Sequence, residues 1–472
     1  MRFSFLIGFL LVSSPGFLRA EGSVALDDCE RIALESHPSV RLADEEADLA
    51  RFKKNEAARA LWPNVTLKTE RTDGMAVVDL GVPGFREVSY GVEASQALWQ
   101  GGKLFHSYRQ ARSAWESAQA KAEKARQEVL YGARESFWNY VKAVRVRDAF
   151  KKAFADLSKE KEMAEKLVAQ DVISRQVSMT VLAQFNQSAL TLNGAEAELT
   201  ARLWQWTAAL GLNAPPEFLP KDDIPAPART GLSLADCLSR SAQKHPDLQV
   251  QRSAAEAARQ GALVGRSLLW PKLTANGFYG RSGGAFNSEP LEIHEDWQAG
   301  VQLSQYFGGN TANASAFQQK TSPKIGQTSL TESKTYSASV GVFDALKQKS
   351  DKKESEFTRD QAQVQMDRTR MDVANNVREA YANWRKALAQ PQAAENDQAL
   401  ASSDYAIAKV KSAHREVPLS ERAVSRNRLA QAESSHFEAQ AGYNVSVAAL
   451  SRAVGDPALF AAAGQAPAPA DK

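Results

Sequence analysis

Apolar residues recur along the chain with two different periods, and the points where one replaces the other divide it into elements. Between residues 26 and 61 breakers are few, and a helix there must stop short of Pro63, because the residue ahead of a proline is pushed out of the α region. Beyond Pro63 the period drops to two. The stretch "VSYGVEASQAL" puts Val88, Tyr90, Val92, Ala94 and Leu98 on one face and Ser89, Gly91, Glu93 and Ser95 on the other, and "VTLKTERT" (65–72) supplies a partner strand. Such alternation over about ten residues fits a transmembrane barrel strand, apolar side to lipid. A half-buried soluble hairpin carries the same pattern. After "QGGK" (100–103) the helical period returns. Leu104, Tyr108, Ala111, Trp115, Ala118, Ala122, Ala125 and Val129 step by alternating fours and threes, a heptad seam. No proline intervenes from about 103 to 168, which at ~1.5 Å per residue is roughly 100 Å of helix. "AQDVISRQ" (169–176) breaks it, and a return helix runs to "LGLN" (210–213).

The series then starts again. "ALWPNV" (60–65) recurs as "LLWPKL" (268–273), and 270 − 62 = 208 also separates Cys29 from Cys237 and His37 from His245. Trp62 and Pro63, and again Trp270 and Pro271, therefore mark equivalent switches from helix to strand. In the second copy "LTANGFYG" (273–280) precedes a strand whose Trp297, Ala299, Val301 and Leu303 oppose Gln298, Gly300, Gln302 and Ser304. The offset is 304 − 95 = 209 at this strand and 378 − 134 = 244 in the helix after it, so the second copy holds 244 − 209 = 35 extra residues. A missed repeat miscalls the fold. The organisation expected is a first repeat over 21–212, a Pro-rich linker over 213–230, a second repeat over 231–456 with an insert near 306–343, and a disordered Ala/Pro-rich tail over 457–472. The second long helix starts near 345, breaks at "SAHREVPLS" (412–420) and returns to "VGD" (454–456).

Composition narrows the class. Hydrophobic residues make up 43% of the chain, low for a polytopic helical membrane protein, and the net charge is only +3. Charges alternate in sign along the helices instead of clustering, so there is no nucleic-acid footprint. Residues 1–20 read as a signal peptide, with Arg2, the apolar "FSFLIGFLLV" and small residues at Ala20 and Ala25, either of which can precede the cleaved bond. Catalytic constellations fail on inspection. "QGGK" lacks the first glycine and the hydroxyl residue of a phosphate loop, with Ala97 and Leu104 in those places, and His294-Glu295 meets Gln298 where a zinc-binding helix needs histidine. His37 and His245, each ahead of a proline, suit a turn. Cys29 and Cys237 suit small core positions. The reading is of a protein that is not an enzyme and has no cofactor or metal.

Taken in order and twice over, "HPSV…LWPNV…GVEASQALWQGGK" and "HPDL…LLWPKL…AGVQLSQ", each followed by a long helical hairpin, resemble the TolC family of outer-membrane efflux proteins along nearly the full mature chain. The resemblance implies a mainly α fold with a transmembrane β part: a homotrimer in which each protomer gives four strands to a 12-stranded β-barrel, continued by a periplasmic α-helical barrel. It implies an exit duct across the cell outer membrane for a tripartite efflux pump or type I secretion system, with a periplasmic adaptor and an inner-membrane transporter as partners. Val88, Tyr90, Val92, Trp297, Val301 and Leu303 would face outer-membrane lipid. The hairpin tips, Gln170, Asp171, Val172 and Ile173 with His414, Arg415, Glu416 and Val417, would dock the adaptor, although they lack the glycine common there. Glu421, Arg422, Val424 and Arg426, with Arg428 nearby, would form a periplasmic gate in which Glu421 pairs with the arginines. Chains that begin and end in the periplasm cross the barrel an even number of times, so the strand-like run Tyr336, Ala338, Val340, Val342 in the insert needs a partner. Either 323–333 provides it or the insert folds on the periplasmic side, and the poor alternation of 323–333 favours the second. A soluble periplasmic coiled-coil scaffold is the competing class; it accounts for the rods but not for the strands.

Overall fold

The computed structural model describes residues 24–75, 84–216, 220, 224–225, 231–287, 289–323, 331–414 and 416–460. The signal peptide lies outside these residues, as do most of 213–230 and everything after Phe460. The first copy comprises α1 (Leu26–Ser36), α2 (Pro38–Arg59), β1 (Asn64–Met75), β2 (Gly84–Gln100), α3 (Lys103–Ala169) and α4 (Arg175–Ala209). The second comprises α5 (Leu234–Lys244), α6 (Pro246–Ser267), β3 (Lys272–Phe286), β4 (His294–Phe307), β5 (Asn310–Thr321), β6 (Thr331–Gly341), α7 (Lys347–Ala413) and α8 (Leu419–Val454). By density of contact the chain forms two units, one of residues 1–40, 126–237 and 377–472, the other of 41–125 and 238–376.

Each copy opens with two helices where the sequence suggested one over 26–61. The break is the His-Pro pair. His37 and His245 are extended, with ψ 124° and 125°, as a residue ahead of proline must be. Each imidazole then caps the next helix: the Ser39 N–H donates to His37 Nδ1 and the Asp247 N–H to His245 Nδ1, both at 3.2 Å. In both copies strand follows the Trp-Pro pair directly, at Asn64 and at Lys272.

Among the described residues all six strands form one antiparallel sheet in the order β1-β2-β3-β4-β5-β6, wholly inside the second unit. Four strands per protomer, the number implied by resemblance, is therefore corrected to six, and the insert lies in the sheet and not beside it. The physical reason is one turn. Gly101 and Gly102, with φ 59° and 82°, lead from β2 into α3, and the equivalent Gly308 and Gly309 have φ 61° and 98°. Two residues at positive φ also make the tight turn of a hairpin. In the second copy the strand doubles back through it, pairing Phe307 with Asn310 and Leu303 with Ala314. The partner of β6 is thus 310–321, not 323–333. Its apolar positions on the Trp297 face are only Ala312, Ala314 and Ala316, too faint an alternation to stand out in the sequence. Helices α3 and α7 are each 67 residues long, so the extra residues of the second copy lie between β4 and α7.

The first unit is held by an aromatic core. Phe137 and Trp206 are fully buried, Tyr140 stacks on Trp206 with ring centroids 4.9 Å apart, and Cys29 and Ala33 fill the gaps beside them. Cys29 and Cys237 are both buried. The end of the chain joins this packing sooner than its composition suggested: Leu459 is fully buried and Phe460 meets the Trp384 ring at 5.8 Å, so the expected disordered tail cannot begin at 457. Gly455, at φ 75°, closes α8 in a left-handed turn that carries the chain back onto the helices.

The same closure ends α3 and α4. Gly211 holds the left-handed position after α4 with φ 71°, while after α3 the position falls to Asp171 with φ 55°. The Val172 N–H donates to the Leu167 carbonyl at 2.9 Å and the Asp171 N–H to that of Val168 at 3.0 Å, the paired bonds of a Schellman motif. Aspartate tolerates this conformation at a cost that glycine avoids. Asp171→Gly should therefore raise the stability of the first hairpin by about 0.5–1 kcal/mol and Asp171→Val lower it by about 1–2 kcal/mol. Thermal melts of the purified protein by circular dichroism, with limited proteolysis at the tip, would show the order glycine, aspartate, valine.

Candidate functional site: the ionic cluster behind the hairpin tips

Carboxylates four residues apart on α3 meet arginines four residues apart on α8, all within the first unit. Because residues at i and i+4 share one helix face, Asp156 and Glu160 form two rungs with Arg426 and Arg422. Arg422 Nε lies 2.8 Å from Glu160 Oε1, and Arg426 Nε lies 2.8 Å from Asp156 Oδ2. The Glu160 side chain is 0% exposed and that of Arg426 only 5%, so neither pair is a surface ion pair. The Arg426 guanidinium also sits 5.6 Å from the centroid of the Tyr405 ring, which brings α7 into the cluster. One residue on, Asn427 donates from Nδ2 to the Gln184 carbonyl at 3.0 Å and to its Oε1 at 2.8 Å, tying α8 to α4.

Burial raises the pKa of Glu160, and Arg422 pulls it back only in part. Burial likewise raises Glu433, while Arg426 and Lys152 oppose the shift. The Tyr405 hydroxyl is raised by burial first and by Asp156 and Glu160 next. A carboxyl with a raised folded-state pKa loses stabilisation as pH climbs, since the folded protein then holds an anion in a place that resists it.

The arrangement differs from the one expected at the gate. Glu421 is exposed and does not pair with the arginines beside it; Arg422 and Arg426 turn inward to Glu160 and Asp156 instead. Val424 is exposed at 46%, and Arg428 reaches Asp404 at 3.3 Å in an exposed pair. Periodicity explains the outcome. Ala423, Arg426 and Ala430 are buried, so the inward face of α8 runs through Arg426 and leaves Glu421 and Val424 outside it. The partners Asp156 and Glu160 escaped sequence reading because they lie 270 and 262 residues away, as 426 − 156 and 422 − 160. Their only local signal is acidic spacing at i and i+4, which is common on helices.

At the tips, Gln170, Asp171, Glu416 and His414 are exposed and Val172 is 48% exposed. Val417 is partly buried. Ile173 packs with Phe185 against buried Leu157, Ala164, Val181, Leu419 and Ala423, an apolar plug just behind the turn. Arg415 lies outside the described residues. The six positions expected to face lipid share one face of the sheet, because Val92 registers with Tyr279, Tyr279 with Trp297, and Val88 and Tyr90 follow at i±2. Among the described residues no group of three or more His, Cys, Asp or Glu side chains could hold a metal ion, and no helix is long and apolar enough to cross a membrane.

Comparison with known proteins fits this geometry. The family model described as outer membrane efflux protein matches residues 237–456, the span from α5 through the end of α8. The match covers 220 of the 472 residues, just under half of the chain, and falls in its second copy. The solved structures of similar fold are those of membrane and outer-membrane proteins, and a soluble periplasmic scaffold is not favoured. The fold is similar to that of the Campylobacter jejuni CmeC outer membrane channel, at 18% identity and a TM-score of 0.70 over 92% of this chain and 86% of that one. It is also similar to the outer membrane protein VceC from Vibrio cholerae, at 15% identity and a TM-score of 0.69 over 91% and 96%. A membrane protein from Pseudomonas aeruginosa gives 13% identity and a TM-score of 0.72 over 91% and 90%. No curated protein sequence matches the chain.

Removing one partner of a buried pair leaves the other charge uncompensated. Arg422→Ala should cost about 2–4 kcal/mol near pH 8, below the full value for a buried pair because Arg422 is 20% exposed. Near pH 4, where Glu160 is protonated, the cost should be much smaller. Thermal melts of both proteins at the two pH values check the sign: a loss that is equal at both would mean that Arg422 acts only through packing.

Proposed function

We propose that the chain is an outer-membrane efflux channel that acts as a passive exit duct, a homotrimer that receives its cargo from an inner-membrane transporter through a periplasmic adaptor. The observation that carries this reading is the sheet, one face of which is mainly apolar and the other mainly polar, with aromatic exceptions such as Phe278 and Phe317 on the polar side. One face presents Val92, Tyr279, Trp297, Val301 and Tyr336 and the other Glu93, Asn276, Gln298, Ser315 and Ser337. Apolar outside and polar inside is the arrangement of a transmembrane barrel with a wet lumen. Lipid would meet the first face, at Val88, Tyr90, Val92, Trp297, Val301 and Leu303, and the cargo the second. Energy would come from the transporter, so the chain itself has no reaction to catalyse.

The ionic cluster is the natural lock of such a duct. Opening the inner ends of the hairpins means moving α8 against α3, which breaks the Arg422–Glu160 and Arg426–Asp156 pairs together. Glu421 and Val424, outside the lock, are free to set the ion preference of the opening, and the exposed tip residues are the docking surface for the adaptor. Type I protein secretion and small-molecule efflux make the same demands on this chain, because both need a passive conduit and place selectivity in the partners.

Deletion of the chain should abolish one export phenotype while leaving the inner-membrane transporter folded, and the protein should fractionate with the outer membrane as a heat-modifiable trimer. In planar bilayers Arg426→Ala should raise single-channel conductance several-fold, and Glu421→Ala should shift cation selectivity without opening the channel. Unchanged conductance in the first variant would remove the lock, and unchanged selectivity in the second would remove Glu421 from the pore entrance.

A further inference from the structure

The sheet has two free edges. Its order runs from β1 to β6 with neither end strand bonded back, and β6 is exposed along most of its length, Tyr336 at 76% and Val340 at 64%. Inside lipid an open edge is forbidden, because no water is present to satisfy its N–H and C=O groups. The edges must therefore pair with something, and closure has to use β6 if β6 is part of the wall.

Three observations make β5 and β6 part of that wall. First, they continue the polar face. Ser304 donates to Asn313 at 2.7 Å, Ser315 and Ser337 share a hydrogen bond of 2.7 Å, and Gln319 donates to Ser333 at 3.2 Å, a cross-strand ladder on the polar side. Second, a hollow of about 610 Å³ on that face, lined by Lys68, Glu70, Glu93, Asn276 and Gln298, extends onto β5 at Gln319 and Thr321. Third, the apolar band descends across the sheet by the stagger that a barrel needs. Straight across the ladder, Leu67 of β1 registers with Val92, Tyr279, Trp297, Lys320 and finally Glu332 of β6. The apolar residues of β6 are centred not on Glu332 but on Ala338, displaced by 338 − 332 = 6 residues. Six residues at ~3.4 Å, over five strand steps at ~4.8 Å, correspond to a strand tilt of about 40°. Barrel strands tilt by about 35–45°. A band level with the membrane thus runs unbroken from β1 to β6, which a flap folded away from the wall would have no reason to preserve.

We propose that the assembled pore wall has eighteen strands, six from each of three copies, closed where β6 of one copy pairs antiparallel with β1 of the next. The proposal rests on the trimeric duct described above. An even number of strands per copy makes this closing pair antiparallel, like every other pair in the sheet. At equal tilt the barrel diameter scales with strand number, so the lumen is about 1.5 times as wide as that of a twelve-stranded relative. The added wall brings Asn313, Ser315, Ser337 and Ser339 to the lumen and no charged side chain at those heights. Cargo bulkier than a twelve-stranded barrel admits becomes the expected class.

The level band predicts which residues meet: Leu67 of one copy should lie beside 336–340 of its neighbour. In a background with Cys29→Ala and Cys237→Ala, Leu67→Cys would be combined in turn with Tyr336→Cys, Ala338→Cys or Val340→Cys in the full-length protein, oxidised in outer membranes and run under denaturing, non-reducing conditions. A covalent trimer from at least one pair, reversed by reductant, is the expected result. A trimer seen by native gel that crosslinks instead through Leu67→Cys with Val301→Cys would mean that β4 closes a twelve-stranded wall, overturning the eighteen while leaving the duct intact. A native trimer that crosslinks through neither set also overturns the proposal. Absence of a trimer in every variant and in the parent would overturn the trimeric duct itself.

Discussion

A hydrocarbon layer offers no hydrogen-bond partners, and the requirement that every backbone N–H and C=O inside it be satisfied governs the rest of this molecule. It makes the strand pattern two-faced, since a closed wall has one side in lipid and one in water. It forbids the six-stranded sheet from existing alone, because β1 and β6 both end unpaired. Outside the lipid the constraint lapses and the chain reverts to helices. The Trp-Pro pairs at 62–63 and 270–271 and the Gly-Gly pair at 101–102 are where one regime passes to the other.

The duplication shows how little sequence is needed to change the outcome. In both copies a strand arrives at two glycines with positive φ. In the first, "KLFHSY" follows and the heptad seam begins, so the turn becomes the base of α3. In the second, "NTANASAF" follows, with Asn310 and Thr311 in place of a helical start, and the same turn becomes a hairpin. The Asn310 side chain then accepts from the Phe343 N–H at 2.8 Å and the Gly309 carbonyl from the Ala345 N–H at 2.9 Å. The returning chain is thereby pinned beside the turn it left, and α7 starts near where α3 does in the first copy.

What could be read from the sequence was whatever is periodic or local. The long helices, the switches at Trp-Pro, the strands around Val92 and Val301 and the capping histidines all carry their signal within a few residues. Strand β5 did not, because alanine at 312, 314 and 316 marks an outward face only by the absence of polarity. The partners of Arg422 and Arg426 did not either. Which carboxylate an arginine meets across two helices depends on the relative rotation of those helices, and that is set by packing of Leu157, Val181 and Ala423 behind the tip. The expectation that Glu421 would pair with its neighbours failed for the same reason: adjacency in sequence puts side chains on different faces of a helix.

The Gly308–Gly309 turn has a further consequence. Because the chain leaves β4 and comes back to the same place after β5 and β6, a hairpin can be inserted or removed there while the helices on either side keep their length and phase. Pore calibre in such a protein is quantised. In a symmetric trimer each hairpin gained adds two strands to every copy and six to the ring, with no intermediate size available. Evolution and design can then change the number of strands without redesigning the helices on either side.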